Sequence, residues 1–145
     1  MLNEKWNNLF EALKSTGADL KDMVTEKGQA AMETTIEAIE KWLEEFPKIE
    51  SYGLTVSNFS FIMRLSPSLE IELKGDHTNF PMDRLDAIIK ENKSTSLTGM
   101  VFTSIRTAYR LHAKIAKQPE DLLLVKIKLS LSPEISVFIG KIRVN

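Results

Sequence analysis

Leu2, Trp6, Leu9, Leu13, Thr16, Leu20, Met23, Lys27 and Ala30 recur at alternating spacings of four and three, the stripe of an amphipathic helix, weakened at Thr16 and Lys27. A second stripe, Met32, Ile36, Ile39, Leu43 and Phe46, keeps that spacing but is shifted in phase, the change falling near residues 26–29. Gly28 marks where one helix gives way to another or turns a different face to its partner, Gly17 is a further break point, and Pro47 is the expected stop. An unbroken helix through residue 46 would run about 70 Å. It therefore either folds back on the rest of the chain or projects from it.

From Tyr52 the period changes to two. Phe59, Phe61, Met63 and Leu65 alternate with Asn58, Ser60, Ile62 and Arg64; after a turn at residues 66–68, Leu69, Ile71 and Leu73 alternate with Glu70, Glu72 and Lys74, which predicts a hairpin. Residues 75–79 read as a loop, Pro81 opens a short helix with Met82, Leu85, Ile88 and Ile89 on one face, and residues 92–99 read as polar turn. In Val101–Ile115 the odd positions, Ile105, Tyr109, Leu111 and Ile115 among them, are more apolar than Ser104, Arg106, Arg110, His112 and Lys114. That alternation predicts a long strand with a basic outer edge. A last hairpin follows, Leu123 to Leu131 and Ile135 to Val144, with a one-residue bulge expected at Gly140–Lys141 to keep Ile142 and Val144 on the core side. The two Leu-Ser/Ser-Pro hairpins echo one another faintly, as similar turn chemistry would.

The fold class expected is α+β: N-terminal amphipathic helices and one short middle helix packed on one face of an antiparallel sheet of about five strands. Residues 1–46 form the helical region, an arm or lid, and residues 47–145 the α+β domain.

Charge adds an asymmetry to this picture. Residues 1–50 carry 6 basic against 11 acidic side chains and residues 100–145 carry 8 against 3, within a net charge of -1. Arg106, Arg110, Lys114, Lys126, Lys128, Lys141 and Arg143 are expected on one sheet face, paired with acidic helices or solvated. A single-strand nucleic-acid platform would need aromatic rings interleaved with those charges, and only Phe138 and Phe102 are candidates, so nucleic acid is not the expected partner.

Candidate chemistry is sparse. The chain has no cysteine, which removes thiolate nucleophiles and zinc-thiolate sites, and it has no glycine-rich phosphate loop or metal-ligand spacing. His77, beside Asp76, and His112, between Arg110 and Lys114, read as turn and surface residues. No catalytic residue, metal or cofactor is expected. The start lacks the continuous apolar run of a signal peptide and no apolar run could span a bilayer, so a cytoplasmic location is expected.

Two readings of function follow. In the first, the chain is a non-enzymatic protein-interaction or assembly module, homo-oligomeric through its N-terminal helices, with Trp6, Leu9, Leu13 and Leu20 as anchors. In the second, it binds an apolar or lipid-like ligand between sheet and helices, in contact with a membrane surface. Phe59 and Phe61 would then be walls, with Thr103, Thr107 and Tyr109 as polar handles.

Overall fold

The structure, a computed structural model, describes residues 2–20, 26–62, 67–115 and 122–140. Its elements are α1 (Leu2–Leu20), α2 (Glu26–Leu43), α3 (Phe46–Ser51), β1 (Thr55–Ile62), β2 (Ser68–Asp76), a 3-10 turn (His77–Asn79), α4 (Met82–Glu91), α5 (Leu97–His112), β3 (Leu122–Leu129) and β4 (Pro133–Gly140). The strands form one antiparallel sheet in the order β1-β2-β3-β4, so the class is α+β, with four strands among the described residues rather than about five.

The missing strand is the one expected over residues 101–115, which is the body of α5 and the turn after it. Val101, Phe102 and Ile105 follow helical spacing and are fully buried, with Tyr109 packed against the same core. The alternating pattern was carried by Leu111 and Ile115, which are 62% and 85% exposed and contribute nothing to burial. The hydroxyls of Ser104 and Thr107 donate to the carbonyls of Met100 and Thr103, which satisfies them within the helix. Packing of one apolar face overrides β propensity here.

The start of α5 is fixed by an unusually complete cap. The N–H groups of Leu97 and Thr98 donate to the two carboxylate oxygens of Glu45 at 2.8 and 3.0 Å, and the Thr98 hydroxyl donates to the same carboxylate. The Gly99 N–H donates to Ser96 Oγ, and that of Met100 to the Ser96 carbonyl. The amides of Leu97, Thr98 and Gly99, which have no carbonyl partner within the helix, are thereby satisfied by side chains, and the Met100 N–H makes the first intrahelical bond. Glu45 itself sits between α2 and α3, where Pro47 occupies the first turn of α3 instead of simply ending a helix.

The sheet has one dry face. Leu69, Ile71 and Leu73 of β2 lie opposite Leu129, Ile127 and Val125 of β3, and all six are at most 1% exposed. They form one cluster with Ile39, Leu43, Phe46, Leu85 and Phe102 from the helices. The other face is polar and paired: Glu72 opposes Lys126 and Glu70 opposes Lys128. Such cross-strand opposite charges fix register more than they add stability.

Helix α1 runs against α2 and α3. Trp6 stacks on Phe46 with ring centroids 5.0 Å apart, its indole N–H donates to Glu50 at 2.6 Å, and Lys5 reaches the other Glu50 oxygen at 2.7 Å. Of the two arrangements open to the N-terminal region, the described part folds back. Gly17 and Gly28 both lie inside helices. At the other end, β4 keeps its register through Gly140, which pairs with Leu122 and adopts a φ of 131°. The expected bulge partner Lys141 lies outside the described residues, and the bulge that is seen falls in β1, between Val56 and Asn58.

Candidate functional site

Helix α5 ends beside the 3-10 turn that follows β2, and this junction brings together the chain's two histidines. Asp76 shapes the turn: its carboxylate accepts from the Thr78 N–H at 2.9 Å and the Thr78 hydroxyl at 2.8 Å, and those bonds hold its pKa below the ordinary value. The turn sets His77 edge-on to Tyr109, with Nδ1 and the phenolic oxygen 2.7 Å apart in a hydrogen bond. His112 lies one helical turn beyond Tyr109. The three side chains line a cleft of about 250 Å³ whose remaining walls are Phe80, Pro81, Met82 and Ala113. His77 Nε2 is buried without a hydrogen-bond partner.

Burial, and secondarily the Asp76 charge, pushes the Tyr109 phenol up to about 12. The phenol is therefore a hydrogen-bonding group, not a base, near neutral pH. Because the folded-state pKa lies above the ordinary value of 10.0, the neutral phenol's contribution to stability is complete below pH 10 and is lost as pH rises toward 12. In an alkaline titration, the tyrosinate absorbance should keep a component with a midpoint near pH 12 that Tyr109→Phe removes; a titration completed near pH 10 in the native protein would refute the buried geometry.

The nominated residues divide differently from the expectation. Of the apolar-ligand set, Tyr109 lines the cleft, Thr103 and Thr107 lie elsewhere on α5, and Phe59 and Phe61 are in β1. Of the basic set, Arg106 bonds Asp86 of α4 at 3.0 Å, while Arg110 and Lys114 are exposed on α5 and the turn after it. Lys126 and Lys128 lie on the polar sheet face opposite glutamates, and Lys141 and Arg143 lie outside the described residues. The set therefore does not share one sheet face, because Arg106 and Arg110 belong to a helix and Lys114 to the turn after it. Of the anchors, Trp6 is buried within the chain and Leu9 packs partly against the core; the side chains of Leu13 and Leu20 lie outside the described ones.

The two histidines were missed as a pair. They are separated by 35 positions, so no local motif joins them. Helical spacing of Tyr109, His112 and Ala113 was the available signal, hidden by the strand assignment.

A second feature is the edge of the sheet. β1 is exposed along almost its whole length, and its inner-face residue Phe59 is 47% exposed although it lies opposite fully buried Ile71. On the other side Ile135, Val137 and Ile139 of β4 are half-buried, and α5 lies along that strand. Among the described residues the helical layer thus lies over the centre and the β4 side of the sheet, and on β1 Val56 and Phe61 pack partly against the core while Phe59 is left half in solvent. β1 reads Thr-Val-Ser-Asn-Phe-Ser-Phe-Ile and carries no charge. The Phe59 N–H donates to Asn58 Oδ1 at 2.9 Å, a side-chain stopper suited to an amide facing an open edge.

No protein-family model matches the chain, and comparison with curated proteins and with solved structures gives no match. Among the described residues no cluster of three metal-ligating side chains occurs, and no helix is long and apolar enough to cross a membrane.

Proposed function

We propose that the chain is a non-enzymatic protein-interaction module that associates by strand addition at β1, rather than through the α1 stripe. The observation that carries this reading is the uncharged β1, an edge strand with no partner on its outer side among the described residues and with Phe59 and Ile62 exposed. Edge strands are normally blunted by charge, proline or a covering element, because their free backbone groups template another strand. β1 has only the bulge near Ser57, whereas β4 carries Pro133, Glu134 and the left-handed Gly140. Trp6, the leading anchor of the helical stripe, has its interactions within the chain and is not free to serve a partner.

A photoreactive amino acid placed at Ser60 tests the reading in the cells that make the protein, with the same group at Glu134 on β4 as control. Adducts to a protein chain from position 60 and not from 134 are expected. Equal adducts from both, or none from 60, would overturn it.

A second reading has one observation in its favour: Tyr109, nominated as a polar handle for an apolar ligand, does line an apolar-walled cleft together with His77 and His112. Small-ligand sites combine apolar walls with a few converging polar groups in this way. Native mass spectra would report a retained small molecule, and its loss in Tyr109→Phe would move this reading ahead.

A further inference from the structure

We propose that the strand added to β1 is β1 of a second copy of this chain, antiparallel, with Ser60 facing Ser60 of the partner subunit, so that the two four-stranded sheets become one. The proposal rests on the reading of β1 as the interaction edge and names its partner.

The register follows from three observations. The two-fold axis of a symmetric antiparallel pair must place inner-face residues opposite inner-face residues, or the joined sheet would have a split core. On β1 the inner-face positions are Val56, Phe59 and Phe61, and the outer ones are Asn58, Ser60 and Ile62, as their partners Leu73, Ile71, Leu69, Glu72, Glu70 and Ser68 require. The bulge near Ser57 interrupts pairing and confines a regular overlap to residues 58–62. Centring the axis on Ser60 uses all of that segment and sets Phe59 against Phe61 of the partner subunit on the inner face, twice.

Backbone chemistry agrees with this centre. The Phe59 amide is held by the Asn58 side chain, so it faces the open side. Alternation then turns Phe61 the same way and Ser60 toward β2. Phe59 and Phe61 become the hydrogen-bonded pairs with the partner. The two Ser60 residues form the closer, non-hydrogen-bonded pair between them, a position where only small side chains meet comfortably. Asn58 releases the Phe59 amide to the partner's carbonyl, so one hydrogen bond replaces another.

Self-pairing, as opposed to capture of a different protein, fits the absence of charge. On the two-fold axis Ser60 faces its own copy, and a charge there would meet its own sign. β1 has none over its eight residues, whereas the adjacent β2 has Glu70, Glu72, Lys74 and Asp76. Pairing also brings four phenylalanines together over the uncovered part of the inner face, where Phe59 is now half in solvent.

The experiment is native mass spectrometry with sedimentation equilibrium on the full chain and two variants, Ser60→Lys and Ser60→Glu. The wild type is expected as a dimer. Each variant alone sets like charges directly opposite and should lose about 10-fold or more in dimer affinity, while an equimolar mixture recovers a heterodimer. Far-UV circular dichroism checks that both variants fold, and Ser60→Thr should dimerise like the wild type. A wild type that stays monomeric, or variants that dimerise as well as it does, would overturn the proposal. If a monomeric wild type still gives position-60 adducts to another protein, self-pairing fails and strand addition stands; with neither dimer nor adducts, both fail.

Discussion

Phe102→Ala is expected to lower the free energy of unfolding by about 3–5 kcal/mol, the range for removing a large aromatic side chain from a closed core. Phe102 is fully buried in α5. Its ring meets Tyr52 edge-on at 5.2 Å and Phe80 at 6.0 Å, so it joins α5 to the end of α3 and to the chain just before α4. None of these neighbours can collapse into the gap without moving its own element. A domain of this size is typically stable by about 5–15 kcal/mol, so the loss is a large part of the total. Urea unfolding should show a lower midpoint with an unchanged slope. Phe138→Ala on the open sheet face, where the ring is 49% exposed, is the control and should cost far less. Similar losses in both would mean that α5 does not pack as described.

Gly99→Ala comes second, and its sign runs against helix propensity. Alanine in place of glycine inside a helix ordinarily gains about 1 kcal/mol. At Gly99 an added Cβ would collide with the backbone carbonyl of Lys93 and press on Ser96 Oγ. A carbonyl has no rotamer to escape into, so the turn before α5 must shift. That turn holds the Ser96 bonds to Gly99 and Lys93. A net loss of about 3 kcal/mol is expected, at the upper end for overpacking, with a fall in Tm of roughly 10 °C. A more stable variant would show that the turn is free to move.

Much of this fold was legible in the sequence because hydrophobic period and buried face coincide over most elements. The hairpin of β1 and β2 and the strands β3 and β4 follow alternation, broken in β1 at the bulge near Ser57, and Pro81 with Leu85 and Ile88 marks α4. α5 was not legible, because two exposed apolar residues, Leu111 and Ile115, completed a false alternation. Its start was hidden as well. Residues 92–99 look like a plain polar turn, and the carboxylate that completes the Ser96 cap is Glu45, more than fifty positions earlier. α3 escaped because its first turn contains the proline expected to end a helix. The cleft of His77 and His112 depended on α5 and was lost with it. The open side of β1 could not be read either: Phe59 has the same place in its pattern as Ile71, and only the strand order distinguishes an edge from a centre.

The order of the strands has a consequence for how the chain acquires its structure. β1 with β2 and β3 with β4 are neighbours along the chain and need only short loops to meet. The central seam, β2 with β3, joins segments separated by the whole of α4 and α5. Closing that long loop costs entropy before any central contact repays it. Two hairpins can therefore form early while the Ile71–Ile127 seam closes late. Until then β2 and β3 are themselves open edges, and β3 is more apolar than β1. The interval between hairpin formation and seam closure is the period in which a nascent chain is most exposed to pairing with the wrong strand.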